Sequence, residues 1–552
     1  MSALTTKKAT SMKRVLSLVV AAAGLLLVAA AQAAAPGITG PAFALTAQPA
    51  YLSQPDGQAV YSWGYGCTAP PDAGRFVPAT LSATVPGNLP ITPSCNPMQV
   101  PGPTLVVTEG QTVTVTLTNS LPTVAGNTSI LFPGFNVTTS CNDPTTPTGV
   151  AGLLTCEATP GATVTYTFTA ASPGTRAYYS GTQGDLQVEM GLYGAIIVLP
   201  NAAPSSCPPH NRAAGLDVSG TALAPLGELD YRLSPAAYHL TQSCYDREYL
   251  FQFSEMDPNI HIQALAQVTA CAAPNAPAGC HLNVPTEPYA PVYFMINGRS
   301  MPDDMDTNYA AQYPHQPYNG NPHMHPGELV LLRIIGQGRW QHPFHEHGNH
   351  VRILARDGNL IVSSSSATQL AGPLLFTTTT TPGLAMDGIF YWTGKGLNWD
   401  AYGHNPASLA GSAMPVHDTC VPDANGYNTG NALAINYYEW CQDHNKPLQA
   451  APFGDVAGGG PATLPDANLF TNGAWYGGSP YLGPDATVRA TGPTGTTPPS
   501  GTIANSPTGE AGFAFMWHSH NEREITTNNI FPGGMLMMML VDSREFVIDE
   551  SN

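Results

Sequence analysis

The sequence is short of charge. Asp, Glu, Lys and Arg make up 10% of its 552 residues, and the basic ones are the scarcer, 19 against 37 acidic. A formal charge of −18 at pH 7 excludes a surface built to hold nucleic-acid phosphates. Past the first 35 residues, no apolar run is long enough to cross a bilayer as a helix. Helical heptads, internal repeats and charge runs are missing, which sets aside coiled coils, solenoids and charged tails. The ten cysteines include no Cys-x-x-Cys pair, so the common zinc-ribbon spacing is excluded too. Glycine (55) and proline (53) are plentiful instead, as in an ordered, loop-rich β-protein.

Residues 1–35 read as a secretory signal: Lys7, Lys8, Lys13 and Arg14, then the apolar run Val15 to Ala30, then the cleavage-type Ala31-Gln32-Ala33. Removing it takes away four basic and no acidic residues, so the formal charge moves from −18 to −22. The expectation is a secreted protein, periplasmic or extracellular, with no membrane span once the signal is gone. In that setting the cysteines read as five disulfides. Sequential pairing is expected: Cys67–Cys95, Cys141–Cys156, Cys207–Cys244, Cys271–Cys280 and Cys420–Cys441. The alternative, a cysteine acting as a metal thiolate, has no cysteine beside the histidine motifs to support it.

Short alternating runs point to an all-β chain, a sandwich or barrel. Val113, Val115 and Leu117 alternate with Thr112, Thr114 and Thr116, and residues 162–169 repeat the pattern. Glu109-Gly110 is expected to turn a hairpin between residues 105 and 117. The first domain is placed at 37–200, a linker at 201–245, and a second domain at 246–552. Residues 395–510 read as a long loop insertion within it, a functional cover or a mobile segment.

Histidine carries the chemistry. His342, His345, His347 and His350 fall within the stretch Trp340 to His350, and His518-Ser519-His520 repeats the His-x-His spacing. Side chains alternate along a strand, so His345 and His347 share one face, as do His518 and His520. If the two strands are neighbours, four imidazoles converge. Imidazole is a common ligand of copper and zinc. Plain surface histidines are the bland alternative, but four on one face would each need a separate partner. His323 and His325 form a third pair between prolines, while His315, His404, His417 and His444 stand alone.

His342-Pro343-Phe344-His345-Glu346-His347-Gly348 resembles the copper-binding signature of multicopper oxidases, and His518-Ser519-His520 followed by Gly533-Gly534-Met535 resembles their last motif. Pro101-Gly102-Pro103-Thr104, Gly191-Leu192-Tyr193-Gly194 and Ile296-Asn297-Gly298-Arg299 agree. The resemblance implies tandem cupredoxin-like Greek-key β-barrels in a two-domain layout, a type often trimeric with metal sites between subunits. It implies that His342 is the ligand of the electron-collecting type 1 copper. It also implies that His345, His347, His518 and His520 serve the cluster that reduces oxygen, and that Met535 is the axial type 1 ligand if a few extra residues are allowed.

Departures from the family pattern narrow this. The type 1 cysteine position is Ser519, and the histidine expected five residues later is Glu524. A hydroxyl does not replace the soft thiolate of a blue copper site. The first-domain histidine positions are Leu131-Phe132-Pro133-Gly134 and Tyr179-Ser180-Gly181. A reduced set of one or two copper ions per chain is therefore expected. Asp185, Glu189, Glu522 and Glu524 add oxygen ligands suited to manganese or iron as substrate ions. The readings left open are an oxidoreductase acting on metal ions or small phenolics, and a non-catalytic copper-binding or structural cupredoxin protein. A zinc hydrolase with Glu346 or Glu522 as base is a distant third. The resemblance to two-domain members also implies a homotrimer.

Overall fold

A computed structural model describes residues 35–78, 92–143, 145–205, 207, 231–394, 420–430, 440–441, 478–481, 512–542 and 548. The expected signal segment, apart from residue 35, and most of the expected 395–510 insertion lie outside the described residues. Among the described residues the regular structure is almost all strand, in four principal sheets with few helices. No helix among them is long and apolar enough to cross a membrane.

Two five-stranded sheets form the N-terminal sandwich. One runs in the order Gly174–Tyr179, Tyr193–Leu199, Leu105–Thr108, Gly37–Thr39, Phe76–Val77. The other runs Ala59–Cys67, Ala42–Ser53, Thr112–Asn119, Thr163–Thr169, Thr138–Thr139. Alternation decides which side of a strand is inside: Val113, Val115 and Leu117 are buried and face Phe168, Tyr166 and Val164 across the ladder. The Glu109-Gly110 turn is present, but it does not close a hairpin. Leu105–Thr108 pairs in the first sheet and Thr112–Asn119 in the second, so the turn is an arch between sheets. The period-two pattern is the same for a hairpin and an arch, which is why it misled.

The C-terminal half repeats the two-sheet plan. A seven-stranded sheet is centred on Arg247–Met256, Leu329–Gly336 and Ala385–Tyr391. A six-stranded sheet carries His323–Met324, Leu536–Asp542, Gly512–Ser519, His342–Glu346 and Thr377–Thr380 in that order. Phe251, Phe253, Phe344, Trp517 and Met537 pack between them. All ten residues of Arg247–Met256 are buried, charged ones included, because the strand has packed neighbours on both faces. Each buried charge has a partner: Arg247 pairs with Glu328, and Glu248 with Arg333.

The two halves meet face to face. Ala177, Ala195 and Ile197 pack against Leu250, Ile335 and Ala385. Thr175 donates its hydroxyl to Asp387 at 2.6 Å and its N–H to the same carboxylate at 3.1 Å. All ten cysteines are paired, in the sequential order expected.

A helix, Pro258–Cys271, went unanticipated. Asp257 caps it by accepting from the Asn259 N–H, and Pro258 opens its first turn. Ile260, His261 and Ala264 turn inward, and Ile260 and Ala264 join the core of the first sandwich. The Asp-Pro pair was the available signal.

Candidate metal centre

His342–Glu346 pairs antiparallel with Gly512–Ser519, with His345 directly opposite His518. Directly opposed residues project to the same face, so the expected convergence occurs. The His345 ring centroid lies 4.8 Å from that of His347, 5.5 Å from His518 and 4.8 Å from His520. Nε2 of His518 is 3.2 Å from Nε2 of His347. The nitrogens of His345, His347 and His518 lie within 4.8 Å of one another, making the one cluster of this kind among the described residues. These three are buried, and His520 is exposed at the rim.

The rings are aimed by their other nitrogens. His345 Nδ1 is bonded to the Thr377 hydroxyl at 2.8 Å, and His518 Nδ1 to the Ser519 carbonyl at 2.7 Å. Such outer bonds fix ring orientation in metal sites. The indole of Trp517 donates to the His347 carbonyl at 3.0 Å. Gly348 ends the motif at φ +95°, and an added Cβ there would press on Phe515. Burial, then the neighbouring imidazoles of His347, His520 and His518, pushes His345 down to about 4. Burial likewise lowers His518. His345 is therefore neutral at pH 7, the form that binds a metal. Three buried imidazoles with nitrogens within 4.8 Å of one another, and the His520 ring beside them, fit copper(II), whose sites favour imidazole.

His342 does not join them. It points to the opposite face, fully buried, with Nδ1 2.9 Å from Glu524 and Nε2 2.9 Å from Glu255. Burial alone would lower its pKa, but the hydrogen bonds and charges of Glu255 and Glu524 outweigh that and raise it to about 9. Ser519 donates its hydroxyl to Glu524 as well. Met535, the expected axial ligand, is buried beside this group, its N–H donating to the Glu524 carbonyl. Glu346, between the two metal-facing histidines, is buried in the core, and burial raises its carboxyl to about 8.

His323 and His325 are turned to Asp542, through a 2.7 Å bond to its carboxylate and a 2.8 Å bond to its carbonyl. His315 bonds the Met98 carbonyl, while His404, His417 and His444 lie outside the described residues. Of the acidic candidates, Asp185 accepts from Thr286, Glu189 from Tyr289, and Glu522 is exposed near His518. The first-domain positions come together as the resemblance requires, with Leu131 and Tyr179 bridged through their backbones. They carry no imidazole. Leu131, Tyr179, Ser180 and Gly181 instead line a cavity of about 260 Å³ with Gln337 and Pro382. Sequence reasoning did not foresee Glu255 or Thr377, since each lies on a different strand from the residue it holds.

Fold and site together define an all-β protein with two sandwiches and a buried imidazole cluster on the second. Residues 94–203 match the multicopper oxidase family model. An L-ascorbate oxidase of Brassica rapa subsp. pekinensis is 38% identical over 100 residues, 18% of this chain and 16% of that protein. Laccase-3 of Botryotinia fuckeliana is 38% identical over 98 residues, 18% of this chain and 20% of that protein. The matched stretch thus spans a fifth or less of either curated relative. Among solved structures, the blue copper oxidase of Nitrosomonas europaea aligns over 90% of this chain and 85% of its own, at 15% identity and a TM-score of 0.42. The family match and the two relatives point to the multicopper oxidase superfamily.

Proposed function

We propose that the protein is a secreted copper oxidoreductase with a reduced copper set, held by His345, His347, His518 and His520. The observation that carries this reading is the convergence of those four rings on one face of a strand pair. Copper bound there supplies one-electron redox chemistry. The chain's own contribution is to keep His345 neutral, to aim the rings through Thr377 and the Ser519 carbonyl, and to shield three of the four from water. His520 and the half-exposed Phe376 form the open side, where a metal ion or a small phenolic would approach.

A second reading, a copper-binding protein without turnover, is favoured by the first-domain cavity lined by Leu131 and Tyr179 where cluster histidines would stand.

Reconstitution with copper and elemental analysis test the site. One tightly held copper per chain is expected, with an electron spin resonance signal and no blue absorption band. Less than one copper, unchanged in His345→Ala and His520→Ala, would overturn the site. Oxygen uptake with Mn(II), Fe(II) or a phenol then separates the two readings, since steady turnover excludes the second.

A further inference from the structure

The resemblance makes His342 the ligand of an electron-collecting copper, and the geometry around it is unlike a metal site. Glu524 lies against Nδ1 and Glu255 against Nε2, so the carboxylates sit on opposite edges of the ring. No single ion reaches an imidazole nitrogen and both carboxylates from one point. The thiolate position is the Ser519 hydroxyl, and its proton is already given to Glu524. We infer that a proton has replaced the copper: His342 is a buried imidazolium clamped between Glu255 and Glu524, tying three segments of the second domain together.

Charge balance supports the clamp. Side chains of His342, Glu255 and Glu524 are at most 1% exposed. Among the described residues no Lys or Arg side chain pairs with either carboxylate, so the imidazolium is the cation that offsets them. The remaining acceptor capacity is met by neutral donors. The N–H groups of Arg339 and Trp340 donate to Glu255 at 2.7 and 2.8 Å, and Asn521 donates to Glu524 at 2.8 Å. The Tyr289 hydroxyl is 3.1 Å from Glu255 and 2.6 Å from Glu189, which His261 faces at 3.7 Å. From the neighbouring strand, Thr380 accepts the His342 N–H at 3.2 Å. A metal needs a lone pair on the ring, whereas both His342 nitrogens point at acceptors, and only the doubly protonated ring satisfies both.

The clamp joins the strand Arg247–Met256, the strand His342–Glu346 and the turn Glu522–Ile525. It is independent of copper on the other face, so the two readings fail separately. The test is nitrogen-15 NMR of the imidazole side chains in the full-length, metal-free protein. Both His342 ring nitrogens should carry protons at pH 7.5 and lose one only near pH 9. Titration with zinc(II), a diamagnetic probe, should shift the rings of His345, His347 and His518 and leave both His342 protons in place. Glu524→Gln removes one carboxylate charge but keeps an acceptor, and should lower the His342 midpoint by more than one pH unit. A singly protonated His342 ring at pH 7.5, or loss of one of its protons on adding zinc, would overturn the inference. If zinc shifts no histidine at all, the four-histidine site is refuted while the clamp stands.

Discussion

His342 and His345 lie three residues apart on one strand, yet their surroundings drive one imidazole towards charge and the other away from it. His345 faces three further imidazoles and is held near 4, while His342 faces two carboxylates and is held near 9. Burial acts against charge at both positions. What differs is the sign of the neighbours, and Glu255 and Glu524 win against desolvation because each sits 2.9 Å from a ring nitrogen. A histidine-rich motif is thus two sites back to back, one arranged for a cation from outside and one supplying its own.

The sharpest way to break the comparison is to remove the metal-facing side. His345→Ala together with His518→Ala should weaken copper binding by more than about 100-fold, measured by competition with a chelating dye. The two His342 ring protons should remain. Next comes His342→Gln, which leaves two buried carboxylates without their cation. It should lower folding stability of the metal-free protein by about 3–5 kcal/mol in denaturant titrations, with copper affinity nearly unchanged. Since the folded pKa of His342 is raised above 6.5, the clamp's contribution is complete below that pH and is lost as pH rises through about 9. The stability gap between the two proteins should therefore shrink from pH 7 to 10. If His342→Gln instead abolishes copper binding, the two faces are not separate sites.

Smaller changes sharpen the same contrast. Thr377→Val keeps shape but removes the bond to His345 Nδ1, and should weaken copper by about 10–100-fold with little loss of stability. Ser519→Ala should do the reverse: about 1 kcal/mol less stable in thermal unfolding, with copper affinity unaltered.

Local pattern made much of this legible. Alternation alone placed His345 and His347 on one face, and the disulfides followed from cysteine order in the chain. The partners of His342 were half visible. Glu524 could be counted to from Ser519, but Glu255 sits 87 residues before His342 and carries no motif. The arch at Glu109-Gly110 and the helix Pro258–Cys271 were missed because a period-two run does not say which sheet a strand joins, and an Asp-Pro pair is a weak cue by itself. Resemblance was uneven in an instructive way. The family match covers residues 94–203, the stretch in which the resemblance places copper positions at Leu131 and Tyr179 to Gly181.

The contact between the halves gives the N-terminal sandwich a structural role. Thr175 supplies two of the bonds to Asp387, which also lies 3.7 Å from Arg333, and Arg333 in turn pairs with Glu248. The N-terminal sandwich is the wall that keeps water from this charged seam. Cutting the chain between residues 201 and 245 and separating the halves would expose that seam to water.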